Sequence, residues 1–242
     1  MADSWGVDVD ELRAALDGWA PAPTIDGVLS LARPAVQLTV GDGGPHAGTY
    51  GGQPALPAEV EWPGLDGQPL ALVAQLDCAV VGDLLGPEWT LPTKGTLLFF
   101  YDDDLRADDR AARVIHVDGQ APARSAPAGT VVIPPLPLVA TRSWSLPALD
   151  DDELNGGLRA DPMGTLGVLS RAGDLVPHTP HQVLGRLGDG YYPQHPQVRP
   201  LLQVEGEEGT DWGECVRIAF VLSDEELRAA RLDRVRIAYE VA

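Results

Sequence analysis

Lysine is almost missing from this chain. Lys94 is the single one, and the 17 basic residues face 36 acidic ones for a formal net charge of −19 at pH 7. A surface of that sign repels phosphate backbones, which argues against nucleic acid as a ligand. It favours encounter with a basic protein partner instead. Cysteine is also scarce, with only Cys78 and Cys215. Two are too few for a disulfide framework, so small buried thiols in a reducing compartment are expected. Long apolar runs are missing as well: none approaches the roughly 20 residues of a membrane helix. The opening MADSWGVDVDELRAAL has acids where a secretory signal has basic residues, and it has no apolar segment. The expectation is a soluble, cytoplasmic protein with no membrane contact.

Signatures of chemistry are equally thin. The glycine-rich loop 41–52 (GDGGPHAGTYGG) contains no lysine and does not follow phosphate-loop spacing. The aspartates at 102–104, 108 and 109 do not have the glycine turn and closing glutamate of a calcium loop, so a solvated loop is expected there. There is no G-x-S-x-G, and neither cysteine has a reactive context. His178, His181 and His195 could converge from loops, but Pro177 and Pro180 forbid helical ligand spacing. No metal and no cofactor are predicted. Whether the protein is an enzyme stays open at this stage, as does its oligomeric state.

What is present is strand pattern, concentrated between residues 51 and 101. PLALVAQLD (69–77) alternates as a strand. GTLLFFYD (95–102) is apolar on both faces, which predicts a central, doubly covered strand. Ahead of these, residues 9–19 read as an amphipathic helix capped by Asp8, with Leu12, Ala15, Leu16 and Trp19 on one face. Residues 21–34 read as an irregular lead-in, 36–40 as a strand and 114–117 as a short strand. The prolines at 134, 135 and 137 predict that residues 130–147 form a sheet edge or a connection. Residues 150–190 read as the least regular region, with a solvated acidic cluster at 150–153. The C-terminal segment from 199 reads as two strands, a helix with a Ser223/Glu226 capping box and a Leu222–Leu227 staple, and a last strand with one wet face.

Two segments echo each other. PLALVAQLD and GTLLFFYD match RPLLQVEGEE and GECVRIAFVL in the order proline, apolar strand, glutamine, acid, turn, glycine, apolar strand. Gln75 with Asp77, and Gln203 with Glu205, each share a strand face. Such a glutamine either ties neighbouring strands through a buried hydrogen bond or offers its two donors and two acceptors to a ligand. The aromatics Trp62, Trp144, Trp212, Tyr191 and Tyr192 either close core edges or line a contact surface.

On GGQPALP (51–57), Trp62-Pro63, PLALVAQLD, Leu91-Pro92 and GTLLFFY (95–101), the chain resembles the YwqG-like family, a bacterial domain of unknown function. HQVLG (181–185), LLQVE (201–205) and Trp212-Gly213-Glu214 extend the likeness. It departs where that family tends to have Trp-Gly-Asp-x-Gly and this chain has Trp-Gly-Glu-Cys. The resemblance implies an α+β fold, β-rich, with a mainly antiparallel sheet body built from two similar halves and a few short helices. Residues 1–50 would be an N-terminal helix and lead-in. Residues 51–242 would form one compact domain with halves at about 51–130 and 175–242. It also implies a non-enzymatic protein-binding role of immunity or regulatory type, with the acidic surface meeting a basic protein. The alternative is an enzyme or small-ligand binder with its site in the cleft between the halves. The candidate ligand-binding residues are Gln75, Tyr101, His181, Gln203 and Trp212.

Overall fold

The computed structural model describes residues 9–102, 111–149, 151–176, 179–188, 192–193, 198–208, 210 and 215–241. The elements run α1 (Val9–Ala15), α2 (Ala22–Leu29), β1 (Arg33–Val40), β2 (His46–Tyr50), β3 (Gly64–Leu65), β4 (Gln68–Pro69), β5 (Ala71–Asp77) and α3 (Cys78–Leu85). They continue with β6 (Thr96–Tyr101), β7 (Ala112–Val117), β8 (Leu136–Ser145), α4 (Asn155–Ala160), α5 (Pro162–Leu175), β9 (His181–Leu184) and β10 (Tyr192–Pro193). The chain closes with β11 (Val198–Glu205), β12 (Cys215–Ser223), α6 (Asp224–Arg228) and β13 (Arg236–Val241).

Eleven of the strands form one antiparallel sheet in the order β10-β13-β12-β11-β9-β1-β8-β2-β5-β6-β7, with β3 and β4 as a separate ribbon. Outward from β8 the chain visits β2, β5, β6 and β7 in sequence order. Outward from β1 it visits β9, β11, β12 and β13. The sheet curls nearly into a barrel. Phe99 of β6 meets Phe220 of β12 edge-to-face with ring centroids 5.1 Å apart, although six strands lie between them in the sheet. The concave face holds the main core, with Val36, Leu38, Ala74, Leu76, Val183, Leu202 and Val204 pointing into it. Helix α3 contributes Val81 and Leu85 to that core. Asp77 starts this helix by accepting hydrogen bonds from the Ala79 and Val80 N–H groups at 2.8 and 3.2 Å.

A second, helical core sits apart. Leu12, Leu16, Ile25, Val28, Leu29, Leu154, Val168 and Ala172 pack together from α1, α2, α4–α5 and their connections. Several sequence expectations change here. Residues 22–29 are helical, because Ile25, Val28 and Leu29 recur at helical spacing and Pro21 and Pro23 fall at the helix start, where proline is tolerated. The first helix ends at Ala15, so Trp19 leaves the apolar face and is 58% exposed. The glycine-rich loop contains β2. The segment 130–147 contains β8, a central strand paired with β1 and β2 rather than an edge. Its prolines are tolerated because Pro134 and Pro135 precede the strand and Pro137 lies past the last β1 pair, Val40↔Leu138. The region expected to be least regular carries α5, the longest helix, which Asp161 caps by accepting from Gly164 N–H at 3.0 Å.

Other expectations stand. β6 is buried on both faces. The Ser223/Glu226 capping box is formed, with Leu222 and Leu227 both in the core. Truncating the aromatic contact that closes the curl tests the core directly. Phe220→Ala should cost about 3–5 kcal/mol, read as a lower urea midpoint with unchanged slope. A loss under about 1 kcal/mol would contradict this packing.

Candidate functional site

The convex face of the sheet is not uniformly wet. Because side chains alternate, Gln37, between Val36 and Leu38, turns away from the core, as do Gln182 beside Val183 and Gln203 between Leu202 and Val204. Register places these three side by side on β1, β9 and β11: Gln37↔Gln182 and Gln182↔Gln203. Helix α5 stands over them. Between the helix and the sheet lies a cavity of about 640 Å³, floored by the three glutamines, with Glu205 and Arg217 along the sheet and Leu146, Leu166, Leu169 and Val176 as apolar wall.

The floor is a continuous hydrogen-bond network. Thr179 Oγ1 donates to Gln37 Oε1 at 2.6 Å, and Gln37 Nε2 donates to Gln182 Oε1 at 2.9 Å. Gln182 Nε2 donates to the carbonyls of Leu184 and Arg186 at 2.9 and 3.1 Å. Gln203 Nε2 donates to the same Arg186 carbonyl at 2.8 Å, and Gln203 Oε1 accepts from Gly188 N–H at 2.9 Å. The loop reaches the glutamines through two consecutive left-handed residues, Leu184 at φ +54° and Gly185 at φ +76°. A side chain at Gly185 would meet Ser145 Cβ at 2.6 Å, so the close approach needs glycine.

Arg186 ties this loop to the helical layer. Its guanidinium, 8% exposed, grips Asp151 and Glu153 and donates to the Leu31 carbonyl. The cluster expected as solvated surface is therefore partly an anchor, since a buried guanidinium requires counter-charges. The hydrogen bond from Arg186 holds the Glu153 carboxyl below its usual range, against a smaller opposing effect of burial. A depressed carboxylate contributes stability above its unfolded pKa and loses it as pH falls through the folded one. Arg186→Met should therefore cost about 1.5–3 kcal/mol at pH 7. It should also flatten the acid limb of the stability profile; an unchanged limb would remove Arg186 as the anchor.

Gln75, on β5, holds its own loop in the same manner. Gln75 Oε1 accepts from Ala55 N–H at 3.1 Å, and Nε2 donates to the Gln53 carbonyl and to Thr49 Oγ1, each at 3.1 Å. The loop again passes through consecutive left-handed residues, Gly51 and Gly52, at φ +65° and +86°. Gln75 is half-buried, and it does not line the cavity. Tyr101 is 1% exposed within the main core. Trp212 lies outside the described residues, as do His178 and His195.

His181 is on the opposite, core-facing side, fully buried and stacked on Tyr50 with ring centroids 5.2 Å apart. Its Nδ1 accepts from Glu205 N–H at 3.3 Å, and Nε2 lies 2.8 Å from Glu207 Oε1. A nitrogen that accepts a backbone N–H carries no proton, so the ring is neutral with its hydrogen on Nε2, donated to Glu207. Both nitrogens are used within the protein, which leaves no lone pair for a metal or a substrate. Burial pushes the imidazole pKa down, and Glu207 opposes without offsetting it. A lowered histidine pKa contributes stability above the unfolded value, lost as pH falls through the histidine range towards the folded pKa. Nitrogen NMR at pH 6, below the ordinary value of about 6.5, should find His181 as the neutral Nε2–H tautomer. An imidazolium signal there would contradict the geometry.

Of the four candidate residues that are described, the structure brings only Gln203 to the cavity; Gln75, Tyr101 and His181 sit elsewhere. Sequence reasoning missed Gln37, Gln182 and Arg186. For Gln37, between Val36 and Leu38, the signal was the one used for Gln75 and Gln203, a glutamine flanked by apolar strand residues; Gln182 has such a neighbour only in Val183, since His181 precedes it. Trp144, one of the aromatics considered, does line the cavity, whereas Trp62 packs edge-to-face on Phe100 under Arg124. Cys78 is buried, and burial pushes its thiol up to about 11, an inert setting. Among the described residues no group of three His, Cys, Asp or Glu side chains is arranged to hold a metal ion, and no helix is long and apolar enough to cross a membrane.

A search of curated proteins found no match. The family described as "Domain of unknown function (DUF1963)" matches residues 49–240. That match spans the sheet from β2 to β13, including the loops held by Gln75 and Gln203, and on it the chain belongs to the DUF1963 family.

Proposed function

We propose that the protein is a non-enzymatic binding protein that takes a small amphipathic molecule into the cavity between α5 and the glutamine floor. One observation carries this reading: three carboxamides in register face an apolar helix across about 640 Å³ of space. Pockets with apolar walls and a few fixed polar groups are the usual form of small-molecule sites. A catalytic role has less support. The cavity is lined by no described histidine, cysteine or lysine, and its charged residues are held in ion pairs.

The reading places the site beside one half of the sheet, under the helices, rather than in a cleft between halves. That the sheet consists of two similar halves is part of the same proposal. Its support is the outward strand order from β1 and from β8, register shifts two residues before each of Gln75 and Gln203, and the matched way each glutamine holds its loop. We assign the chain within its family to the bacterial YwqG-like group on the segments quoted above, and to the cytoplasm on its composition.

A second reading rests on the net charge of −19: the acidic surface docks a basic protein, in an immunity-type or regulatory role. The two roles are compatible. The ligand role is tested by thermal shift against a panel of amphipathic metabolites, with Gly173→Trp to fill the cavity. Wild type should be stabilised by some members in a concentration-dependent way, and the variant should not. If no member shifts wild type, or the variant responds equally, the ligand role fails. Recovery of a basic protein at low salt only, lost at high salt, is the outcome the second reading requires.

A further inference from the structure

The chemistry of the cavity narrows what it takes, on the assumption that it is the binding site proposed above. Among the described residues its charged lining is Arg186, Glu205 and Arg217. Arg186 is committed to Asp151 and Glu153, and Arg217 to Glu240 and, at 3.7 Å, to Glu205. Both cations are thus neutralised by protein carboxylates, inside a chain whose net charge already disfavours anions. A phosphate or carboxylate ligand would need one of these pairs to break.

The uncharged floor has capacity to spare. Among the described residues Gln37 Nε2 has one acceptor and Gln203 Nε2 has one, so each amide group has a second hydrogen to donate. The side-chain oxygens of Gln37, Gln182 and Gln203 each take one hydrogen bond and have room for a second. A surface of alternating amide donors and acceptors matches another amide better than it matches a charge.

The cavity is also directional. Its sheet residues run across β8, β1, β9, β11 and β12, four steps of about 4.8 Å each. The β8 end opens onto Leu146, Pro147 and Ala148, with exposed Leu149 and Leu166 at the rim; the β12 end carries Arg217. The polar floor therefore grades into an apolar end along one axis.

We infer that the cavity binds an uncharged, elongated amphiphile whose amide head lies over Gln37, Gln182 and Gln203 and whose apolar tail lies towards Leu146, Leu166 and Leu169. The head would accept from the spare Gln37 and Gln203 N–H groups and donate to a spare carboxamide oxygen. The tail would cover the apolar wall and the exposed rim.

Three probes of one tail length separate the ingredients: decanamide, decanoate and decanol, each titrated calorimetrically into the full-length protein. Decanamide should bind at least about tenfold more tightly than decanoate and several-fold more tightly than decanol. Decanamide should also shift the side-chain NH2 resonances of Gln37 and Gln203 in nitrogen–proton spectra, a readout that needs no substitution in the buried network. Leu169→Asp, at a partly buried wall position, should weaken all three probes by tenfold or more. If decanoate matches or exceeds decanamide while Leu169→Asp still weakens both, the cavity is a site but the amide preference is wrong. If no probe binds, or Leu169→Asp leaves binding unchanged, the cavity reading falls and takes this inference with it.

Discussion

A carboxamide standing in for a strand is the constraint on which this structure depends. At Gln75 and at Gln203 the side chain accepts one backbone N–H and donates to the carbonyl two residues earlier. That is the pairing a neighbouring strand would offer, delivered by a side chain. It lets a loop leave the sheet and fold back over its convex face without stranding backbone groups under cover. Both loops need left-handed residues to make the turn. In one it is two glycines. In the other it is Leu184 and Gly185, so a leucine is held at a φ that costs roughly 1–2 kcal/mol. The glutamine bonds are positioned to offset that strain.

The helical layer owes its position to the same constraint. The loop held by Gln203 presents Arg186, and Arg186 draws Asp151, Glu153 and the end of α2 towards the sheet. The helices then stand off the floor by the thickness of the cavity rather than packing flat onto it. Among the described residues there is no helical layer in the corresponding region around Gln75. The segment beyond residue 53 covers the sheet instead: Leu56 and Leu65 are buried, and Trp62 packs edge-to-face on Phe100. One device therefore produces a filled surface in one place and an open pocket in the other. The difference lies in the loop that each glutamine holds: one continues as a short proline-rich cover, the other carries an arginine that recruits helices.

Much of the sheet was legible in the sequence because its signals are local. Alternation marks β1, β5, β11, β12 and β13, the doubly apolar run marks β6, and the Ser223 box marks α6. The misses share a cause. The prolines at 134, 135 and 137 point in the sequence to an edge or a connection, and residues 21–34, which open with Pro21 and Pro23, read as irregular, but each of these prolines sits at or just before an element start, where a missing N–H costs little. Helix α5 carries three glycines, which blurred its periodicity. The candidate site was half legible. Gln203 was identified by its apolar neighbours, but what separates it from Gln75 is the covering layer, which depends on contacts between residues more than 30 apart such as Arg186 and Glu153. His181 drew attention as a titratable group, although both its nitrogens serve the fold.

The most direct test is the scalar coupling transmitted through the hydrogen bond from the Gly188 amide nitrogen to the Gln203 side-chain carbonyl carbon, and its counterpart from Ala55 to Gln75. Resolved couplings at both, together with slow hydrogen exchange of the two amides, are the predicted result. Rapid exchange at Gly188 with no coupling to Gln203 would mean that the side chain does not hold the loop, and the cavity, the Arg186 anchor and the floor would lose their common support.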